Sequence, residues 1–205
     1  MGGNYDNSAS FYDCLSRLVF GKALVNAQVC FLPHIPADAS ILIIGGGTGW
    51  ILEEIAKILP KGLHITYVEI SAKMMTISRK RNVGNNHVEF INMAIEEVKV
   101  SNSFDVIITP FLFDNYTEPA LPVTFTHIHQ MLKPGGMWLN TDFRLTGKWW
   151  QFVMLKSMLL FFKLLCGVES WRLPDVGKQF SGAGYQLIEQ KSFYKDFVVT
   201  GMYRK

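Results

Sequence analysis

Four glycines, Gly45, Gly46, Gly47 and Gly49, follow directly on the aliphatic run Ile41-Leu42-Ile43-Ile44. Glycine lets a backbone turn sharply and come close to a ligand. A carboxylate, Glu69, ends the next strand-like run, Leu63-His64-Ile65-Thr66-Tyr67-Val68. Its two acceptor oxygens suit both hydroxyls of a vicinal diol. Strand, glycine turn, helix, strand and acid form the arrangement that holds a nucleotide-like ligand at the carboxyl ends of parallel strands.

The spacing narrows the ligand. A dinucleotide fingerprint needs Gly-x-Gly-x-x-Gly. Counted from Gly45 the last glycine position falls on Trp50, and from Gly47 on Leu52. A bulky residue at 50 obstructs the close approach of a pyrophosphate. No Gly-Lys-Ser/Thr follows, so a phosphate loop is excluded as well. What stands there is Gly-x-Gly-x-Gly, made by Gly45, Gly47 and Gly49.

Groups able to move a proton lie further along. Asp142 ends the fifth strand-like run, and Asp114 and Tyr116 follow the fourth. His127 and His129 fall inside a helical stretch and read as ordinary helix residues. For Asp142 a structural capping role competes with catalysis. Cys14, Cys30 and Cys166 lack metal-ligand spacing, so no metal site is expected.

The elements that must carry these groups alternate. Apolar residues at 51, 52, 55, 58 and 59 have helical spacing after the glycine turn. Pro60-Lys61-Gly62 reads as a break. Ser71 can cap a helix over 72–82. Asn85-Asn86 reads as a turn before a short strand, 88–91. Residues 104–109 form a fourth strand, stopped by Pro110. A helix over 120–132 and the turn Lys133-Pro134-Gly135-Gly136 lead to a fifth strand, 137–142. This predicts an α/β fold with a doubly wound, Rossmann-like, mostly parallel sheet of seven strands. Residues 185–192 and 197–203 are joined only by Tyr194-Lys195-Asp196, so they must form a hairpin, which makes one strand antiparallel.

The chain has 205 residues, 49% of them hydrophobic, which suits one domain with a sizeable core. Net charge is +3 and dispersed, which argues against a nucleic-acid partner. Arg79-Lys80-Arg81 sits at a helix end, where cations are favourable. Unpaired cysteine numbers and the lack of a signal or myristoylation pattern predict a reduced, cytoplasmic setting. Residues 1–36 read as a helical cap, with Phe11, Leu15, Leu18, Val25, Val29 and Leu32 along one face. Tyr5 and Tyr12 belong to it and would reach the ligand if it folds over the sheet edge. Residues 147–172 are a strongly apolar insertion between the fifth and sixth strands, with Lys156 and Lys163 interrupting it. Three roles fit it: a roof over an apolar substrate pocket, a homodimer contact, or a membrane-surface helix.

From about Tyr12 to its end the chain resembles the class I S-adenosylmethionine-dependent methyltransferases. Ile41 to Gly49 is similar to their first motif. Glu69-Ile70-Ser71-Ala72-Lys73-Met74-Met75 is similar to their acidic strand end. Phe104 to Ile108 is similar to their fourth strand, and Leu132-Lys133-Pro134-Gly135-Gly136 to the turn before their fifth. The resemblance implies S-adenosylmethionine as cofactor. It places Gly45, Gly46, Gly47 and Gly49 along the methionine and ribose, Glu69 on the ribose hydroxyls and Ile70 on the adenine. Met93, Ala94 and Ile95 would flank the adenine's other side, and Thr109, Pro110 and Phe111 would lie near the methyl group. Tyr12 would complete the cofactor site. Two positions depart from the family's habit: Ile43 stands where an acid is common, and Met93 where Asp often meets the adenine amino group.

No Asn-Pro-Pro-Tyr follows the fourth strand, which holds Thr109-Pro110-Phe111-Leu112 instead. That argues against nucleobase or glutamine amino groups as acceptors. The reading is direct in-line methyl transfer to a small, apolar or aromatic molecule. A catalytically inactive cofactor-binding interaction protein and a nucleotide-dependent oxidoreductase are the alternatives.

Overall fold

The computed structural model describes residues 19–100, 103–166 and 173–205. Tyr5, Tyr12 and most of the expected N-terminal cap lie outside the described residues, as do 167–172 of the apolar insertion.

Seven strands form one sheet: β1 (Ser40–Ile44), β2 (Lys61–Val68), β3 (Asn85–Ile91), β4 (Phe104–Pro110), β5 (Leu132–Phe143), β6 (Gln186–Phe193) and β7 (Val198–Arg204). Their order is β3-β2-β1-β4-β5-β7-β6. The pairs among β1 to β5 are parallel, and β7 runs antiparallel to both β5 and β6. The doubly wound sheet with one reversed strand is therefore the observed architecture. Six helices accompany it among the described residues: α1 (Ala23–Val29), α2 (Trp50–Ile58), α3 (Ala72–Ser78), α4 (Leu121–Met131), α5 (Trp149–Cys166) and α6 (Val176–Gly182).

Alternation along β1 sends side chains to both faces, and both are covered. Ile41 and Ile43 join Phe31, Ile51, Leu52 and Ile55 on one side. Leu42 and Ile44 join Phe125, Ile128 and Trp138 on the other. A strand covered on both faces reads as an uninterrupted aliphatic run, which is what residues 41–44 are. Each such buried side chain contributes roughly 1.5–3 kcal/mol of apolar burial. A third cluster caps the carboxyl end of β5, where Leu155 and Leu159 of α5 meet Phe20, Phe143, Phe197 and Val198.

Several boundaries differ from expectation for visible reasons. β2 begins at Lys61, and the expected break survives only as a register shift between Lys61 and His64 with Gly62 at φ +93. Asn85-Asn86 does not open a turn but belongs to β3. The buried Asn86 accepts from Leu63 N–H through Oδ1 and donates through Nδ2 to Leu59 and Val83 carbonyls. These bonds tie Asn86 to the start of β2 in addition to its local bond from N–H to Val83 O at 3.3 Å. Helix α3 stops at Ser78 rather than 82, tightening into shorter-range bonds from Lys80 N–H to Ile77 O and Arg81 N–H to Ser78 O. Residues 133–136 fall within β5, where the ladder jumps from Leu132 to Met137, so the predicted turn is an excursion inside the strand.

Candidate functional site

The carboxyl end of β1 lies at the point where the sheet's winding reverses, with β2 on one side and β4 on the other. Ligands of open α/β sheets bind at such a crevice. Gly45, Gly47 and Gly49 all have positive φ, +69, +63 and +77, a region that side chains with Cβ adopt at a cost. Gly46 is required for a different reason. A Cβ there would come within 2.5 Å of the Tyr67 ring. At Gly49 a Cβ would meet the Ser78 backbone at 2.8 Å, so the first turn of α2 packs directly on α3.

Glu69 is buried at the end of β2 and organises this turn. Its Oε2 accepts from Gly47 N–H at 3.0 Å and its Oε1 from Ser71 N–H at 2.8 Å. A carboxylate has about four acceptor sites, and these amides use two. The Tyr67 hydroxyl donates to Gly47 O at 2.9 Å from below. Ser71 caps α3 by accepting from Met74 N–H at 3.2 Å, as its position predicted. Arg81 fastens the outer side: Nε donates to Thr48 O at 2.9 Å, Nη2 to Thr48 Oγ1 at 3.3 Å, and Nη1 lies 3.5 Å from Glu53. The expectation of a cation serving the helix end missed this longer reach, for which the sequence carries no local signal.

Beside Glu69, Ile70 and Met93 are exposed, 42% and 38%, with the half-buried Ala94 next to Met93. Asn92 links the two strand ends, donating to Glu69 O at 2.7 Å and Ile70 O at 3.0 Å. Exposed apolar side chains beside a buried acid match the two demands of a nucleoside, a flat ring and a diol. Ile95 differs from its neighbours: its side chain is in the core, and its carbonyl receives His127 Nε2 at 3.0 Å.

After β4 the chain bends over the ends of β4 and β5. Phe111 has φ +51, and its N–H donates to Thr141 O at 2.7 Å. Its ring lies 4.9 Å from Phe143. Leu112 then reaches the glycine turn, with its Cδ1 3.4 Å from where a Gly45 Cβ would be. Pro110 is buried between them. Thr109 is fully buried with its hydroxyl occupied: it donates to Asn140 Oδ1 at 2.8 Å and accepts from Trp138 Nε1 at 2.9 Å. Its side chain thus faces the core.

The proton-moving candidates separate by environment. Asp142 is buried. Its Oδ1 accepts from Phe143 N–H at 2.9 Å, while Oδ2 has no hydrogen-bond partner among the described residues. Burial pushes its pKa up to about 7, opposed by the nearby amides of Phe143, Phe113 and Asp114. Asp114 is raised well above the carboxylate range by burial and then by the Asp142 charge. Tyr116 donates its hydroxyl to Glu96 at 2.9 Å, and burial and that acid make the phenol harder to ionise. Its proton is held elsewhere. His129 meets the Tyr185 hydroxyl at 3.0 Å through Nδ1, far from this edge as the helix pattern predicted.

Helix α5 lies against the carboxyl end of β5 through Leu155 and Leu159. Trp149, Phe152, Val153 and Leu160 remain exposed on its outer side. Its start is held by Gln151, which is fully buried. Oε1 accepts from Thr146 N–H at 2.7 Å and Nε2 donates to Lys195 O at 3.3 Å. A glutamine within an apolar run gave no sequence signal for this. Among the described residues no cluster of His, Cys, Asp or Glu could hold a metal ion, and no helix is long and apolar enough to cross a membrane.

Residues 41–136 match a family model described as a methyltransferase domain. The chain is 32% identical over 139 residues to the malonyl-[acyl-carrier protein] O-methyltransferase of Priestia megaterium, covering 68% of this chain and 49% of that one. It is 27% identical over 184 residues to the ubiquinone/menaquinone biosynthesis C-methyltransferase UbiE of Geotalea daltonii, covering 86% and 73%. The chain spans about half the length of the malonyl-[acyl-carrier protein] relatives it matches. Among solved structures, the 1,6-didemethyltoxoflavin-N1-methyltransferase of Burkholderia thailandensis, with bound S-adenosylhomocysteine, superposes with a TM-score of 0.66 at 16% identity, covering 97% of this chain and 84% of that one. An S-adenosylmethionine-dependent methyltransferase from Aquifex aeolicus gives 0.66 at 15%, covering 96% of each chain.

Proposed function

The chain belongs to the class I S-adenosylmethionine-dependent methyltransferases, and from that premise we propose that it moves the methyl group of S-adenosylmethionine directly onto a small, apolar or aromatic acceptor. The observation that carries the cofactor half is the join between Glu69 and the glycine turn. One carboxylate fixes Gly47 N–H at 3.0 Å and stands beside the exposed Ile70 and Met93. A ribose diol on Glu69 leaves the adenine between Ile70 and the Met93–Ala94 segment. The Gly45–Gly47 backbone, free of side chains, then faces the methionine portion. Met93 in place of an acid offers the ring a polarisable contact rather than a hydrogen bond.

S-adenosylmethionine supplies an activated sulfonium methyl, so the protein's work is to align the acceptor and exclude water. Phe111 and Phe143 at the ends of β4 and β5, with α5 above them, give that region an apolar wall. An aromatic or hydrocarbon acceptor buries surface there, which fits pockets that are mostly apolar with few polar groups.

Calorimetric titration with S-adenosylhomocysteine and with NADH is the first test. Binding of the former alone is expected, and binding of NADH alone would overturn the assignment. Turnover of tritiated S-adenosylmethionine against panels of small aromatic, nucleic-acid and protein acceptors is the second. Incorporation confined to the macromolecules would overturn the acceptor class, and cofactor binding without turnover on any panel would favour an inactive binding protein.

A further inference from the structure

We propose that Asp142 takes up the proton of the methyl acceptor, with Asp114 as its positioning partner, and that the acceptor is therefore a neutral hydroxyl or carbon acid rather than an anion. This rests on the methyl-transfer reading above and adds the substrate's protonation class to it.

Four observations converge. Asp142 Oδ2 is a buried oxygen with no hydrogen-bond partner among the described residues. A buried acceptor left unmade costs about 1–3 kcal/mol, and a donor on a bound substrate removes that cost. Asp142 lies at the carboxyl edge of β5, and β5 is two strands from β1 in the sheet. Two strand spacings are about 10 Å, so the acid stands to one side of the cofactor turn, where an acceptor and not the cofactor's ribose must lie. The same loop connects both places: Leu112 contacts Gly45, and Phe113 and Asp114, next in the chain, bring their amides to Asp142. Finally, the charge of Asp142 raises the pKa of the neighbouring buried carboxyl, Asp114, whose own backbone amide reaches Asp142. Arg144, two residues on and just past the end of β5, directs its guanidinium to Ser192 Oγ at 2.9 Å. From β7 the paired residue is Val199, which carries no charge.

Two carboxyls in one desolvated place resist ionising together, so they share a proton and titrate as a pair. A base in the neutral range is matched to proton removal at neutral pH. In the step proposed, the acceptor's X–H proton passes to Asp142 Oδ2. The electron pair of that bond forms the new X–CH3 bond. The C–S bond breaks with its pair going to sulfur, which leaves as a neutral thioether. The negative charge lost by Asp142 matches the positive charge lost at sulfur. A carboxylate or phosphate at this place would add a second negative charge to a buried acid pair that already resists holding two.

The test uses the whole chain saturated with S-adenosylhomocysteine, with 1-naphthol and 1-naphthoate as probes of equal shape and different charge. At pH 8, 1-naphthol is expected to bind at least about tenfold more tightly than 1-naphthoate. Asp142→Asn should weaken 1-naphthol by about tenfold, the lower end of a hydrogen bond to a charged group, with S-adenosylhomocysteine affinity unchanged. Carboxyl carbon NMR on aspartate-labelled protein should show two coupled titrations, and Asp114→Asn should leave one at lower pH. Equal or tighter binding of 1-naphthoate, or an Asp142 titration below pH 5 unaffected by Asp114→Asn, would overturn the proposal. Loss of S-adenosylhomocysteine binding by the unaltered chain would instead sink the methyl-transfer reading itself.

Discussion

The Tyr67 hydroxyl donates to the Gly47 carbonyl at 2.9 Å, and the same ring occupies the space a Gly46 side chain would need. One fully buried aromatic on β2 thus fixes both the position and the composition of the cofactor turn. Gly45 and Gly47 are held to glycine by their positive φ, Gly46 by Tyr67.

This separates two substitutions. Gly46→Ala should strain the turn against Tyr67, costing about 1–3 kcal/mol as overpacking does, and should weaken S-adenosylhomocysteine binding more than it lowers stability. Tyr67→Phe should cost about 0.5–1.5 kcal/mol for the lost hydrogen bond. Adding Tyr67→Leu to Gly46→Ala should recover part of the stability, because residues in contact are coupled. Urea titrations of the unaltered chain, Gly46→Ala, Tyr67→Leu and the double variant measure the cycle, and strict additivity would contradict the packing argument.

Glu69 serves both the fold and the ligand, so its variants should show both effects. In Glu69→Gln one of the two oxygens becomes an NH2 facing an amide N–H of Gly47 or Ser71. Cofactor affinity should fall by roughly tenfold to a hundredfold, the range of a hydrogen bond to a charged group. The melting temperature should fall as well, since a donor opposes a donor. Ser71→Ala should lower only stability, by about 1 kcal/mol for a lost helix cap. Isothermal titration beside thermal unfolding distinguishes the two residues.

Asp142 makes stability depend on pH with a definite sign. Its folded pKa is raised to about 7 from an ordinary 3.8. Between those values the folded state binds more protons than the unfolded one, so stability falls as pH rises through that window. The whole chain should therefore tolerate more urea at pH 5 than at pH 8, apart from its other titrations. Asp142→Asn should narrow the difference by on the order of a few kcal/mol, with its gain at pH 8. A larger gain at pH 5 would reverse the sign and refute the assignment.

What the sequence disclosed follows from how local each signal is. The glycine turn, the acid after β2 and the reversed last strand are encoded by contiguous residues, whose period and spacing set the geometry. The hairpin is an example: a link as short as Tyr194-Lys195-Asp196 forces antiparallel pairing, and all three residues take positive φ. Asn86, Arg81 and Gln151 were not legible, because their partners lie up to 27, 33 and 44 residues away in the chain but only about one hydrogen bond away in space. A polar residue's type gives its bonding capacity and not its address. Thr109 shows the same limit, since its place after β4 pointed to the ligand while its hydroxyl is spent on Trp138 and Asn140.

Gln151 supplies the last prediction. It is the buried staple between the start of α5, the Thr146 turn and the tip of the terminal hairpin. Gln151→Leu keeps the volume but leaves Thr146 N–H and Lys195 O without that partner, at about 1–3 kcal/mol for each buried group. Lys148 still donates to Lys195 O at 3.1 Å, so the loss at that carbonyl should be the smaller. The N-terminus of α5 should loosen, and cleavage by a protease between residues 144 and 150 should become faster. Because the staple lies on the acceptor side, 1-naphthol binding should weaken while S-adenosylhomocysteine binding holds. Equal weakening of both would mean that α5 supports the cofactor turn as well, and its role as an acceptor roof would then need revision.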